Sequence, residues 1–187
     1  MKPVPHEPLA IAEVILVRPP RFGDERGYFA ETYHADKWAA AGIGVTFVQD
    51  NQSLSAEVGT IRGLHYQLAP YAQGKLVRVL QGRVLDVAVD IRRSSPTFGQ
   101  HVSAELTADG GEQIFVPPGF AHGFATLEPD TVVAYKVSGV YSPESERGIR
   151  FDDPDLGIDW KVDTSKATLS KKDTGNPKLA DQPDLFA

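Results

Sequence analysis

An all-β fold, an antiparallel sandwich or barrel with a few short helices, is the class this sequence predicts. Three observations carry it. Apolar residues fall in short runs rich in β-branched side chains. Clusters of Gly, Pro and Asp separate those runs. The 17 Gly and 14 Pro in 187 residues follow no repeat period, so the chain turns often without forming an array.

Taken in order, a strand is expected over Ile11–Val17. His34–Gly42 follows, Ala-rich with Asp36 near its start and Gly42 to end it, which reads as a helix. Val45–Leu54 returns to a strand pattern. In Arg62–Gln67 a strand period points Leu64 and Tyr66 opposite to His65 and Gln67. The long run Lys75–Ile91 breaks at Gln81-Gly82, which predicts a hairpin. Beyond that break Val84, Asp86, Ala88 and Asp90 alternate with Leu85, Val87, Val89 and Ile91. One face is therefore continuously apolar and packs, while the mixed face is free to line a cavity. Glu112–Pro118 is a further strand, Pro117–Gly119 a turn feeding an apolar strand that opens with His122, and Thr131–Tyr141 the last. From Ser165 the chain is polar, with Pro177 and Pro183, and reads as a short helix followed by an extended end. The whole length, 1–187, is expected to form one domain with a C-terminal extension from about 165. A chain of this size can hide ~70% of its unfolded surface, enough for a sizeable core.

Composition narrows the function. The 19 Lys and Arg against 25 Asp and Glu give a net charge of −6 with no basic stretch, which speaks against a nucleic-acid partner. The chain has no cysteine, so thiolate nucleophiles, disulfides, Cys-bound zinc and iron–sulfur clusters are excluded, and a reducing cytoplasm fits. The first twenty residues, with early prolines and a short apolar stretch interrupted by Glu13, make neither a signal peptide nor a membrane span, so no membrane partner is expected.

Two histidines at the mouths of strands, His65 and His122, suit metal ligation or acid–base work. Small barrels of the cupin type hold a metal with His-x-His, a Glu a few residues on and a further His. Here the pair reads His65-Tyr66-Gln67, and no acidic residue follows until Asp86. The expectation is therefore no metal, and the neighbours of His6, His34 and His101 do not suggest ligands either. Three more polar groups are notable. Lys75 opens a strand, Tyr135 shares a face with Val133 and Val137, and Asp173 follows two lysines. Singly each reads as an ordinary surface or core residue; together they supply an acid, a base and a cation.

Ten blocks then settle the resemblance. They include Asp24–Glu31 (DERGYFAE), Gln49-Asp50-Asn51, Ile61–Gln67 (IRGLHYQ), Gln73–Arg78 and Asp86–Gly99 (DVAVDIRRSSPTFG). Gly119–Phe124, Tyr135-Lys136, Tyr141–Ile149, Asp153–Trp160 and Leu169–Asp173 complete the series, in order, over about residues 24–173. The chain resembles the dTDP-4-dehydrorhamnose 3,5-epimerase family. That resemblance implies a double-stranded β-helix, or jelly roll, without a cofactor. It also implies a homodimer that exchanges an N-terminal strand, so that residues near Arg26 and Glu31 serve the partner's site.

The implied activity is epimerisation at C3 and C5 of dTDP-4-dehydro-6-deoxy-D-glucose. Enzymes that epimerise only C3 or only C5 share the same residues, and a metal-dependent cupin remains the more distant alternative. Both carbons flank the C4 carbonyl, so removing either proton gives an enolate with its charge on O4. By resemblance His65 is the base, Asp173 its carboxylate partner and Tyr135 the acid on the other face, with Lys75 and His122 near O4. For the nucleotide diphosphate the resemblance supplies Arg26, Arg62 and Lys172, with Lys171 as the fallback. Glu31, Gln49, Asn51 and Glu146 would make polar contacts, and Phe29 and Tyr141 offer aromatic faces to the thymine. Tyr28 and His101 depart from the Phe and Trp frequent in the family.

Overall fold

The computed structural model describes residues 2–187. Its elements, in chain order, are β1 (His6–Pro8), β2 (Ile15–Val17), β3 (Arg21–Asp24), β4 (Gly27–Ala30), α1 (Ala35–Ala39), β5 (Gln49–Ser55), β6 (Ile61–Gln67) and β7 (Lys75–Gln81). They continue with β8 (Arg83–Asp90), β9 (His101–Thr107), β10 (Gln113–Val116), β11 (Phe120–Thr126), β12 (Thr131–Val137) and β13 (Glu146–Gly148). Two antiparallel sheets face each other, one in the order β1-β2-β10-β7-β12-β5 and the other β13-β6-β11-β8-β9. β3 and β4 form a hairpin that pairs only with itself. The architecture is the expected cupin-like jelly roll.

The alternation read in β8 decides the layering. Val84 and Ala88 point inward and join Val77, Val79 and Val133 of the opposite sheet in the central core. Leu85, Val87, Val89 and Ile91 point outward, where Ile149, Phe151, Leu156, Trp160 and Leu179 of the C-terminal part cover them. Burying each such side chain contributes roughly 1.5–3 kcal/mol, so both faces of this sheet are held. A third cluster wraps Trp38 of α1 and Ile43 over Leu76 and Phe115, on the outer face of the first sheet.

Four expectations are corrected. Gln81-Gly82 is not a hairpin: β7 pairs with β10 and β12, β8 pairs with β9 and β11, and the chain crosses between sheets at Gly82. Only Ile15–Val17 of the first run is strand. Residues 11–14 turn instead, with Leu9 N–H donating to Val14 O at 2.9 Å and Val14 N–H to Ile11 O at 3.0 Å. The strand expected from Val45 begins at Gln49. The C-terminal part holds three short 3-10 turns, Thr164–Lys166, Asp173–Gly175 and Leu179–Asp181, where one short helix was expected. Among the described residues no helix is long and apolar enough to cross a membrane.

Candidate active site

Between the sheets lies a cavity of about 420 Å³ lined by Arg62, His65, Lys75, His122, Tyr135 and Asp173, together with Ser53, Thr60 and Ser170. A second pocket of about 200 Å³ shares His65, Lys75 and Tyr135 and adds Gln49, Asn51, Tyr141 and Glu146. Residues spread over more than a hundred positions of sequence thus converge on one space.

Two glycines explain why the histidines meet. β6 and β11 are antiparallel, with His65 directly opposite His122 and a register shift between His122 and Phe124. At Gly63, φ is +131°, and a Cβ there would lie 2.5 Å from Gly123 Cα. A Cβ on Gly123 would lie 2.8 Å from Arg62 O. Only a glycine pair permits so close a backbone approach, and the shift it allows turns Arg62, His65 and His122 to the same inner face.

Each histidine has its own carboxylate. His65 Nε2 lies 2.5 Å from Asp173 Oδ1, and the Asp173 side chain is only 3% exposed. Asp173 sits in a 3-10 turn and its N–H donates to Ser170 Oγ at 3.1 Å. Burial pushes its acidity toward the neutral form, but the bonds from His65, Ser170 and the Gly63 backbone outweigh this and hold the carboxyl below its ordinary range. With Nε2–H donated to this carboxylate, Nδ1 of His65 keeps the lone pair. His122 Nε2 likewise lies 2.9 and 3.0 Å from the two Asp86 oxygens, both residues being buried. Burial lowers the His122 pKa against the pull of Asp86, which favours the neutral ring.

Lys75 and Tyr135 complete the centre. Burial brings the Lys75 ammonium down to about 8, with Asp86 and Glu146 working the other way, and Nζ lies 3.4 Å from His65 O. Burial raises the Tyr135 phenol, so it stays protonated well into the alkaline range.

Around the smaller pocket the expected polar residues form a connected set. Gln49 donates to Asn51 Oδ1 at 2.8 Å and accepts the Tyr141 N–H at 3.1 Å. The Tyr141 hydroxyl donates to Glu146 at 2.7 Å, and Lys172, exposed like Lys171, pairs with the same carboxylate. Arg62 is anchored by Ser55 Oγ at 3.0 Å and Leu54 O at 2.9 Å. Gln67, at the place where a metal cupin has its second imidazole, spends its amide on the backbone of Tyr71, Val140 and Ser142.

Three expected residues lie elsewhere. Arg26 pairs with Asp24 at the tip of the β3–β4 hairpin, and Phe29 and Glu31 line a separate pocket beside Trp38. The chain does not bring them to its own cavity. Conversely, Asp86, Ser53 and Ser170 went unassigned from sequence. Asp86 left a signal, a carboxylate on the mixed face of an otherwise apolar strand; the two serines left none.

The family model described as dTDP-4-dehydrorhamnose 3,5-epimerase matches residues 8–181. A protein named dTDP-4-dehydrorhamnose 3,5-epimerase from Sinorhizobium fredii is 54% identical over 95% of this chain and 91% of its own. One of the same name from Shigella flexneri is 48% identical over 91% and 93%. Among solved structures, a dTDP-6-deoxy-D-glucose-3,5-epimerase from Legionella pneumophila, in complex with dTDP-4-keto-L-rhamnose, superposes with a TM-score of 0.92 at 44% identity, covering 97% of both chains.

Proposed function

From the premise that this chain belongs to the dTDP-4-dehydrorhamnose 3,5-epimerase family, we propose that His65, Asp173, Tyr135 and Lys75 carry out the reaction. The enzyme epimerises C3 and C5 of dTDP-4-dehydro-6-deoxy-D-glucose to give dTDP-4-dehydro-L-rhamnose, in dTDP-L-rhamnose biosynthesis. The carrying observation for the residue roles is that a carboxylate-held imidazole and a protonated phenol line one cavity from opposite sheets.

His65 Nδ1 takes the proton from the carbon beside the carbonyl, and the electron pair moves to O4. Asp173 keeps the ring oriented and stabilises the imidazolium that forms. The Lys75 ammonium sits where an enolate oxygen needs a cation. Neutral His122 donates its N–H to Asp86 and so shapes this wall instead of donating to O4 through that nitrogen. Tyr135 returns a proton to the other face of the carbon, the configuration inverts, and solvent restores both groups. Two rounds, one at each carbon, complete the reaction.

Arg62, Gln49, Asn51, Tyr141, Glu146 and Lys172 bind the nucleotide diphosphate in this reading. Arg26, Phe29 and Glu31 serve the cavity of a second copy. The exposure of Phe22, Tyr28 and Phe29 on a hairpin paired only with itself supports a homodimer that covers them. Residues 1–187 act as one unit, since the C-terminal extension supplies Asp173, and the absence of cysteine suits a reducing cytoplasm.

Incubation with substrate in D₂O tests this. Deuterium is expected at both C3 and C5, and label at one carbon alone would make the enzyme a monoepimerase. His65→Asn is expected to stop exchange at both carbons, a loss of roughly 10²–10⁴-fold, while dTDP binding persists. Exchange at a normal rate in that variant would assign the base elsewhere.

A further inference from the structure

The family match ends at Asp181, but the next six residues are built into the fold. Gln182 is 5% exposed; its Nε2 donates to Gly148 O at 2.9 Å and its Oε1 accepts the Asp184 N–H at 3.3 Å. The Asp184 carboxylate accepts from Arg147 Nε at 2.7 Å, and its backbone carbonyl accepts the Tyr66 hydroxyl at 2.5 Å. Phe186 forms a parallel bridge with Arg92, its carbonyl accepting the Arg93 N–H at 3.0 Å, while its ring sits 6.2 Å from that of Tyr66. The Arg93 guanidinium reaches back to Gln182 O at 3.3 Å.

These anchors concentrate behind one inner residue. In the β13–β6 register Gly148 lies opposite His65 and Arg147 opposite Tyr66. Tyr66 adjoins His65 in sequence and points to the opposite side of the strand. At its other end the segment is fixed to Arg92 and Arg93, just past β8, the strand that carries Asp86. Burial and the Asp184 charge both raise the Tyr66 phenol, so it remains a donor across the working range.

We propose that Gln182–Ala187 is a strap that positions His65 against Asp173 by clasping Tyr66, Arg147 and Gly148 from the outer side of the sheet. This rests on His65 as the base. A misplacement of about 1 Å in a reacting group can cost ~10²-fold in rate, so a strap that removes part of that freedom acts on kcat more than on KM.

The test compares the full chain, a chain ending at Asp181, and full-length Tyr66→Phe, which loses only the hydroxyl donated to Asp184. The shortened chain is expected to show kcat lower by about tenfold with KM within about twofold. Amide hydrogen exchange in β6 and β13 should be faster, and a synthetic peptide of residues 182–187 added in trans should restore part of kcat and slow that exchange. Tyr66→Phe should move both readouts the same way by less. Unchanged kcat in the shortened chain, or lowered kcat with unaltered exchange in β6, overturns the strap. Should the shortened chain not fold, Tyr66→Phe and Asp184→Ala decide, and normal kcat in both overturns it. The amide readout does not depend on the identity of the base, whereas normal deuterium uptake by His65→Asn defeats the base assignment and leaves the amide result standing.

Discussion

His65 and Tyr135 line the same cavity from opposite sheets, His65 from β6 and Tyr135 from β12. Facing sheets stand ~10 Å apart, which leaves room for a sugar ring between the two side chains. The jelly roll therefore supplies what an epimerase needs and a one-sided pocket does not: a base and an acid fixed on separate walls. Holding them on strands instead of loops keeps both at defined depth, and the second carboxylate–imidazole pair, Asp86–His122, fills the wall beside the base.

Tyr135→Phe separates the two half-reactions. Proton abstraction by His65 needs no phenol, so substrate should still lose its C–H proton to solvent at a rate nearer normal than product formation. Rapid-quench measurement of proton release against epimer formation checks this. Equal loss of both would remove Tyr135 from the second face.

Lys75 sets an alkaline limit. Burial disfavours its charged form, so the ammonium needed at O4 is fully present below about pH 8 and is lost as pH rises through that value. Measured kcat should therefore fall on an alkaline limb near pH 8. Lys75→Arg, which keeps its charge, should be slower at pH 7 but lack that limb. The same shift acts on stability. Between about 8 and the ordinary lysine value of ~10.4 the unfolded chain binds the extra proton, so this group makes stability rise with pH across that window.

Gly63→Ala should be costly despite its small size. The added Cβ would stand 2.5 Å from Gly123 Cα at a φ of +131°, and backbone cannot give way as a side chain can. A loss of roughly 1–3 kcal/mol in denaturant unfolding is expected, together with reduced kcat because β6 and β11 carry the two histidines. An alanine variant of full stability would show that the close approach is dispensable.

Mixing two inactive chains probes the shared site. If Arg26 of one copy serves the cavity of the other, a heterodimer of Arg26→Ala with His65→Asn contains one intact site. Random reassortment should then recover activity in about a quarter of the sites. No recovery, with heterodimers present, would confine Arg26 to its own chain.

How much of this was legible depended on whether the signal was local. The mixed face of β8 and the helix, Ala35–Ala39 within the expected His34–Gly42, follow from alternation or composition over a few residues, whereas His65, Tyr135 and Asp173 were grouped by the family resemblance of their motifs. The crossing at Gly82 was not legible, because a turn residue announces a change of direction but not which strand pairs next; β7 finds both of its partners, and β8 one of its two, thirty or more residues away. Val45–Leu54 reads apolar from its first residue, yet Phe47 and Val45 pack beside Trp38 without pairing as strand. The strap was invisible because its partners Tyr66, Arg92 and Arg147 are brought near only by folding.

The most direct measurement is a crystal structure with a dTDP-4-keto-6-deoxyhexose bound to the enzyme. The hexose ring should lie between His65 and Tyr135, one group on each face, with O4 turned toward Lys75. Finding both groups on one face of the ring, or either of them remote from C3 and C5, would contradict the account.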